Sequence, residues 1–248
     1  MTKYINKLQA LSAQLRNQEI ADQVKQICQI DQAVKDRRVL SHAPQKLGLE
    51  PDEYEEISWE TSDDQLHNLQ TMNNLLNNVR QYLSLQYGIW SLPNLTTARL
   101  IMEKLGVKTA LEVMAGNAYW SMALSQAGMQ VVATDSLEWA KTSATGSEPF
   151  YPVESLSAAD AVKKYADRDL ILCSWSPNFG RSDLELIAAK RELAPQSHLL
   201  FVGERAGATN SRDFWRGDFL TDSPAMKAIN RSFVSYDFIE EKLFEVKQ

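Results

Sequence analysis

The chain of 248 residues has little of what several kinds of protein require. Its two cysteines, Cys28 and Cys173, are too few for a disulfide framework, and Cys173 lies in an apolar run that reads as a buried, inert thiol. Its three histidines, His42, His67 and His198, are scattered without metal-ligand spacing and without a neighbouring cysteine pair, so no metal centre is expected. There is no G-x-S-x-G elbow for an acyl-transfer nucleophile and no P-loop with its lysine. No apolar run is long enough to cross a bilayer, and the opening MTKYINKLQA does not read as a secretory signal. A cytoplasmic protein without membrane contact is the expectation. Positive charge is also short: 26 Lys and Arg stand against 32 Asp and Glu, a net charge of -6. That balance argues against a broad electrostatic grip on nucleic acid, leaving only a local basic patch around Arg205, Arg212 and Arg216 open.

What is present divides into two parts. Residues 1–88 are rich in Gln and Asn, poor in Gly and helical in period. Tyr4, Leu8, Leu11 and Leu15 share a face that continues through Ile20, Val24, Ile27, Ile30 and Val34. A second long helix is expected from Ser62, whose S-D-D-Q run resembles a capping box, with Leu66, Leu69, Met72, Leu76, Val79 and Leu83 on its apolar face. The intervening HAPQKLGLEPDEYEEISWETSD, punctuated by Pro44, Gly48 and Pro51, reads as a linker. Packing on the rest of the chain, a cap over a substrate and a homodimer contact through these helices all remain open for this third.

Residues 89–248 alternate apolar runs with helical segments, the pattern of a doubly wound, mostly parallel sheet. Strands are expected at Ala110 to Met114, Met129 to Ala133, Pro152 to Glu154, Leu170 to Ser174 and Leu199 to Val202. Phe233 to Phe238 and Lys242 to Val246 read as a closing antiparallel pair. Helices are expected at Tyr119 to Gln126, Ala158 to Tyr165, Leu184 to Leu193 and Ala225 to Ile229.

The informative stretch is Lys108 to Asp135. Its strand, Ala115-Gly116-Asn117 turn, helix and second strand place two acids, Glu112 and Asp135, toward the carboxyl edge of a parallel sheet, where open α/β sheets bind ligands. Asp135 follows the turn at the spacing of a ribose-binding acid. Glu112 is costly to bury in an inner parallel strand unless a partner answers its charge, and a ligand with a cationic end is one such partner. A dinucleotide is disfavoured, because AGNAYWSMA lacks G-x-G-x-x-G and puts Tyr119 and Trp120 where a pyrophosphate needs clear backbone.

These residues resemble the cofactor half of class I S-adenosylmethionine-dependent methyltransferases: an acid in the first strand, a glycine turn and an acid closing the second strand. EVMAGNAYW and the later SWSP resemble in particular a divergent, poorly characterised methyltransferase-like subgroup. The family turn alternates three glycines, and this chain keeps only the middle one, with Met114 and Ala118 in the outer slots. The resemblance implies a seven-stranded Rossmann-like sheet with an antiparallel strand inserted late, and S-adenosylmethionine as cofactor. It places the Met114, Gly116 and Ala118 turn against the methionine portion and Glu112 near the amino-acid end. Asp135, with Ser136 beside it, would take the ribose hydroxyls, Glu154 and Ser155 the adenine ring, and Trp90 the roof. Trp175, Ser176 and Asn178, after the fourth strand, would lie beside the transferable methyl, with Phe179 near them. Direct transfer to a nitrogen or oxygen acceptor follows, a small molecule or protein ahead of a nucleic acid. The alternative is a nucleotide-binding module that has lost catalysis and acts through its helices.

Overall fold

The computed structural model describes residues 2–141 and 143–248. Its centre is a seven-stranded sheet in the order β3-β2-β1-β4-β5-β7-β6. The strands are β1 (Thr109–Val113), β2 (Gln130–Asp135), β3 (Val153–Ser155), β4 (Leu170–Ser174), β5 (His198–Glu204), β6 (Leu220–Thr221) and β7 (Glu241–Val246). The first five pair in parallel, and β7 runs antiparallel to β5 and β6. The order reverses between β1 and β4, which makes the carboxyl ends of those two strands the topological switch point of a doubly wound sheet.

Alternation along the strands gives the sheet two buried faces. Ala110, Leu170, Leu172, Leu200 and Val202 face one helical layer, and Leu111, Val113, Ile171, Cys173 and Phe201 face the other. The first layer contains α6 (Leu95–Leu105), α7 (Tyr119–Gln126) and α11 (Pro224–Ser232). The second contains α8 (Ala158–Lys164) and α9 (Ser182–Leu193), with Phe214 from the short α10 (Arg212–Arg216). Each fully buried aliphatic or aromatic side chain contributes about 1.5–3 kcal/mol.

The N-terminal stripes form helices, but not continuous ones. The first breaks at Arg16, whose φ is 54°, into α1 (Lys3–Leu15) and α2 (Gln18–Lys35), and Asn17 restarts it by accepting from the Ile20 amide. The second is α4 (Leu66–Leu76) and α5 (Val79–Tyr87), separated at Asn77 and Asn78. The expected capping box at Ser62 does not form; a short 3-10 turn, Asp63–Gln65, stands there. The reciprocal cap lies instead at Glu50 and Glu53, and it starts a helix, α3 (Pro51–Glu60), inside the segment read as a linker. Pro51 fits because the first helical residue needs no N–H. These helices pack into one apolar cluster that includes Tyr119, Met122 and Ala123 of α7, so the helical third packs on the sheet module.

A second correction concerns the closing strands. Phe233 to Phe238 is not a strand. The outward backbone groups of β7 are met by side chains instead: Asn230 bonds both the N–H and C=O of Leu243, and Ser235 bonds those of Glu241. The two residues of β6 pair with the far end of β7. Side-chain amides and hydroxyls satisfy an edge as well as a strand does, and hydrophobic alternation does not reveal which will be used.

Candidate functional site

A cavity of about 850 Å³ opens over the carboxyl ends of β1, β2 and β4. The turn between β1 and α7 forms its floor. Met114, Gly116 and Ala118 have φ of 51°, 52° and 56°, so all three alternating positions are left-handed although only one is glycine. Such a conformation costs a non-glycine residue about 1–2 kcal/mol. The turn therefore keeps a glycine-type backbone at all three positions with a single glycine.

The two acids are held by the chain itself. Glu112, 1% exposed, accepts from the Ser121 amide at 2.8 Å and the Ser121 hydroxyl at 2.5 Å. Ser121 lies in the first turn of α7, whose N-cap, Ala118, offers no side-chain acceptor, so Glu112 caps that helix from the neighbouring strand. The charge partner sought in a ligand is thus supplied, at least in part, by the protein. Burial pushes the Glu112 carboxyl up to about 8, against the Ser121 bonds, and the Asp135 carboxylate adds to the rise. Asp135, 6% exposed, accepts from the Gly116 amide at 2.9 Å and the Leu137 amide at 2.7 Å. Those two contacts aim it at the turn and leave lone pairs on both oxygens.

A pH dependence follows from Glu112. Its folded value lies above the ordinary 4.5, so the folded protein holds a proton that the unfolded chain releases. The stability this confers is complete below about 4.5 and is lost as pH rises through about 8. Glu112→Gln, which keeps an acceptor for Ser121, removes that slope: urea unfolding from pH 5 to pH 9 should show wild type losing ~2 kcal/mol or more relative to the variant. Parallel curves would show that the carboxyl is not protonated in the fold.

The other wall is aromatic. The Trp90 and Trp175 rings stack at 5.3 Å, and Phe179 stands at the mouth. Trp175 has a φ of 56°, and its indole N–H donates to Glu241 at 2.7 Å. Behind it lies a buried cluster that the sequence did not suggest. Arg80 of α5 makes a two-point contact with Asp237, at 2.7 and 2.9 Å, bonds Glu241 at 3.0 Å and donates to the Trp90 carbonyl. Its guanidinium also lies over the rings of Trp175 and Tyr236, at 5.0 and 4.5 Å. Burial opposes the Arg80 charge, and Glu241 and Asp237 more than offset it, holding the guanidinium above its ordinary range. Asp237 and Glu241 lie 157 and 161 residues from Arg80, so no local pattern signals them. Other links fix the rim: Trp120 donates to Ser91 at 2.8 Å and Asn117 to the Tyr87 carbonyl at 2.5 Å.

Of the residues singled out from sequence, Trp90, Glu112, Met114, Gly116, Ala118, Asp135, Ser136 and Trp175 line this cavity. Four do not. Ser176 is buried, and Asn178 is exposed outside the lining. Ser155 is exposed on the edge strand β3. Glu154 is engaged by Lys164 and by the Tyr165 hydroxyl, which hold its carboxyl below the usual range. Lining residues that went unmarked include Leu85, Glu138 and Trp139, the last two in the loop after β2. Proximity to Asp135 is the signal that would have found the latter pair. Among the described residues no cluster of His, Cys, Asp and Glu could hold a metal, and no helix is long and apolar enough to cross a membrane.

No family model and no curated protein matches the chain. Solved structures to which it is similar include three methyltransferases. One is the 1,6-didemethyltoxoflavin-N1-methyltransferase of Burkholderia thailandensis, with S-adenosylhomocysteine bound: 11% identity over 62% of this chain and 76% of that one, TM-score 0.37. The second is the magnesium protoporphyrin IX methyltransferase of Synechocystis, with bound S-adenosylmethionine: 16% identity, the same coverages, TM-score 0.35. The third is an S-adenosylmethionine-dependent methyltransferase from Archaeoglobus fulgidus: 13% identity over 62% of this chain and 93% of that one, TM-score 0.36. At these values the likeness decides nothing about the site, whose reading rests on its own residues.

Proposed function

We propose that the protein is an S-adenosylmethionine-dependent methyltransferase working by direct displacement. The observation that carries this reading is the placement of Asp135, backed by Gly116 and Leu137 amides, in a cavity at the switch point of the sheet. In this reading Asp135 takes the ribose hydroxyls, the Gly116 turn lies along the methionine chain and Glu112 faces the amino end. Ser136 and Trp139, which line the cavity, are better placed for the adenine than Glu154 and Ser155. The cofactor supplies a methyl on a sulfonium, so the protein's work is to position donor and acceptor and to exclude water. The left-handed φ at Met114 and Ala118 supports a working turn over a degenerate one.

Titration calorimetry with S-adenosylmethionine and S-adenosylhomocysteine tests the donor. One-to-one binding in the micromolar range is expected. Heats indistinguishable from dilution at millimolar ligand would remove the proposal.

A further inference from the structure

The cavity has a second property beyond its fit to a donor. Among the described residues that line it there is no Lys, Arg or His; its ionisable groups are Glu112, Asp135, Glu138 and Tyr119. The cation behind the wall, Arg80, is already answered by Asp237 and Glu241. An anionic acceptor would therefore find no cation in the lining to answer its charge, and Glu138 there is already paired with Lys141.

The mouth adds shape. Leu85, Trp90 and Phe179 are 74%, 51% and 76% exposed, three large apolar side chains of the lining left in water. Grouped exposure of this kind marks a binding surface, and aromatic faces favour flat or cationic partners.

The third element is the state of the possible bases. Glu112 is bonded by Ser121, Asp135 by two backbone amides, Glu138 by Lys141 at 2.7 Å, and the Tyr119 hydroxyl donates to the Arg38 carbonyl at 3.0 Å. In the donor reading Asp135 is taken up by the ribose, and the other three are engaged by Ser121, Lys141 and the Arg38 carbonyl, so none is left to deprotonate an alcohol. A nitrogen with an available lone pair needs no such base.

We propose, building on the donor reading above, that the acceptor is a small, planar, nitrogen-bearing molecule, neutral or protonatable: an aryl amine or nitrogen heteroaromatic, not a nucleic acid, phosphate ester or acidic peptide. The acceptor nitrogen, which loses its proton to solvent first if it arrives as a cation, uses its lone pair to form the N–C bond as the methyl C–S bond opens. The electron pair stays on sulfur, and any displaced N–H proton passes to solvent. Leu85 and Phe179 receive the ring, Trp90 and Trp175 form the platform, and the lack of a cation in the lining sets the charge preference.

The test uses the full chain and two probes of one shape, 4-aminoquinoline and quinoline-4-carboxylate, with a single-stranded oligonucleotide as third ligand. Tryptophan fluorescence titrations are run with and without S-adenosylhomocysteine, and methylation is read by mass. The amine should bind at least about tenfold more tightly than the carboxylate. Phe179→Ala with Leu85→Ser should weaken the amine about tenfold while S-adenosylhomocysteine affinity stays within about twofold. Glu138→Lys should narrow or invert the preference. Equal or tighter binding of the carboxylate or oligonucleotide, or no binding of the amine in either condition, overturns the inference. Charge selectivity that persists when S-adenosylhomocysteine fails to bind overturns the donor reading alone and leaves the ligand class standing.

Discussion

Asp135→Ala is expected to reduce affinity for S-adenosylhomocysteine by at least about a hundredfold, because two hydrogen bonds from sugar hydroxyls to a carboxylate are worth about 1.5–3 kcal/mol each. The same change frees the Gly116 and Leu137 amides, so some stability is lost as well, and affinity alone would not separate a missing ligand contact from a collapsed turn. Leu137→Pro makes the distinction less well than it first suggests, since φ at Leu137 is 59° and proline cannot adopt it. Asp135→Asn is the better companion. It keeps the side-chain volume but sets an NH2 against one of the two amides, so it shares the structural penalty, while its remaining oxygen can still accept from a hydroxyl. Calorimetry and thermal melting on both variants give the pattern. Affinity should fall further in Asp135→Ala than in Asp135→Asn at similar losses of melting temperature. Wild-type affinity in Asp135→Ala would show that the carboxylate only shapes the turn.

The strands and helices that sequence reveals well are those whose apolar period has one interpretation. Leu170–Ser174 and Tyr119–Gln126 have the expected bounds, because the unbroken apolar run Leu170 to Cys173 and a helical segment closed by Gly128 each admit one reading. The cavity end of the sheet was legible for the same reason: a turn between two strands carries its acids to one edge whatever packs around it. What was not legible is long-range partnership. Glu112 in a strand looks like an unanswered charge, and its answer, Ser121, appears only when α7 folds back over β1. The breaks at Arg16 and Asn77 do not interrupt the apolar stripe, so two pairs of helices read as two single ones. Phe233 to Phe238 reads as alternating because Val234, Tyr236 and Phe238 stand two apart, yet of those three only Tyr236 is buried, and the segment is bent so that Asp237 reaches Arg80. Trp175 was expected beside the acceptor from its place after β4. Its tether to Glu241, sixty-six positions on, could not be read from that place.

That tether leads to the largest stability effect expected in the molecule. Arg80, Asp237 and Glu241 are all at least nineteen-twentieths buried, with side-chain exposures of 5%, 1% and 2%. Arg80→Met keeps the aliphatic stem but leaves two carboxylates in an apolar setting, and breaking a buried pair in this way costs about 3–5 kcal/mol. Removing the opposing charges tests the cause. Arg80→Met combined with Asp237→Asn and Glu241→Gln should recover more than half of the loss, because a neutral cluster has no stranded ion. Arg80→Lys should fall between, since an ammonium keeps the charge but cannot make the two-point contact with Asp237 together with the bond to Glu241. The effect should reach the cavity as well. Glu241 holds the Trp175 indole and Arg80 lies over its ring, so Trp175 fluorescence in an otherwise tryptophan-substituted background should report a looser, wetter indole in Arg80→Met and a native-like one in Arg80→Lys. Urea unfolding measures the first effect and fluorescence at zero denaturant the second. A triple variant no more stable than Arg80→Met would assign the loss to packing of the guanidinium against Trp175 and Tyr236 rather than to charge. The guanidinium's ring contacts would then add to the apolar cluster that holds the helical third on α7, and the two carboxylates would contribute little.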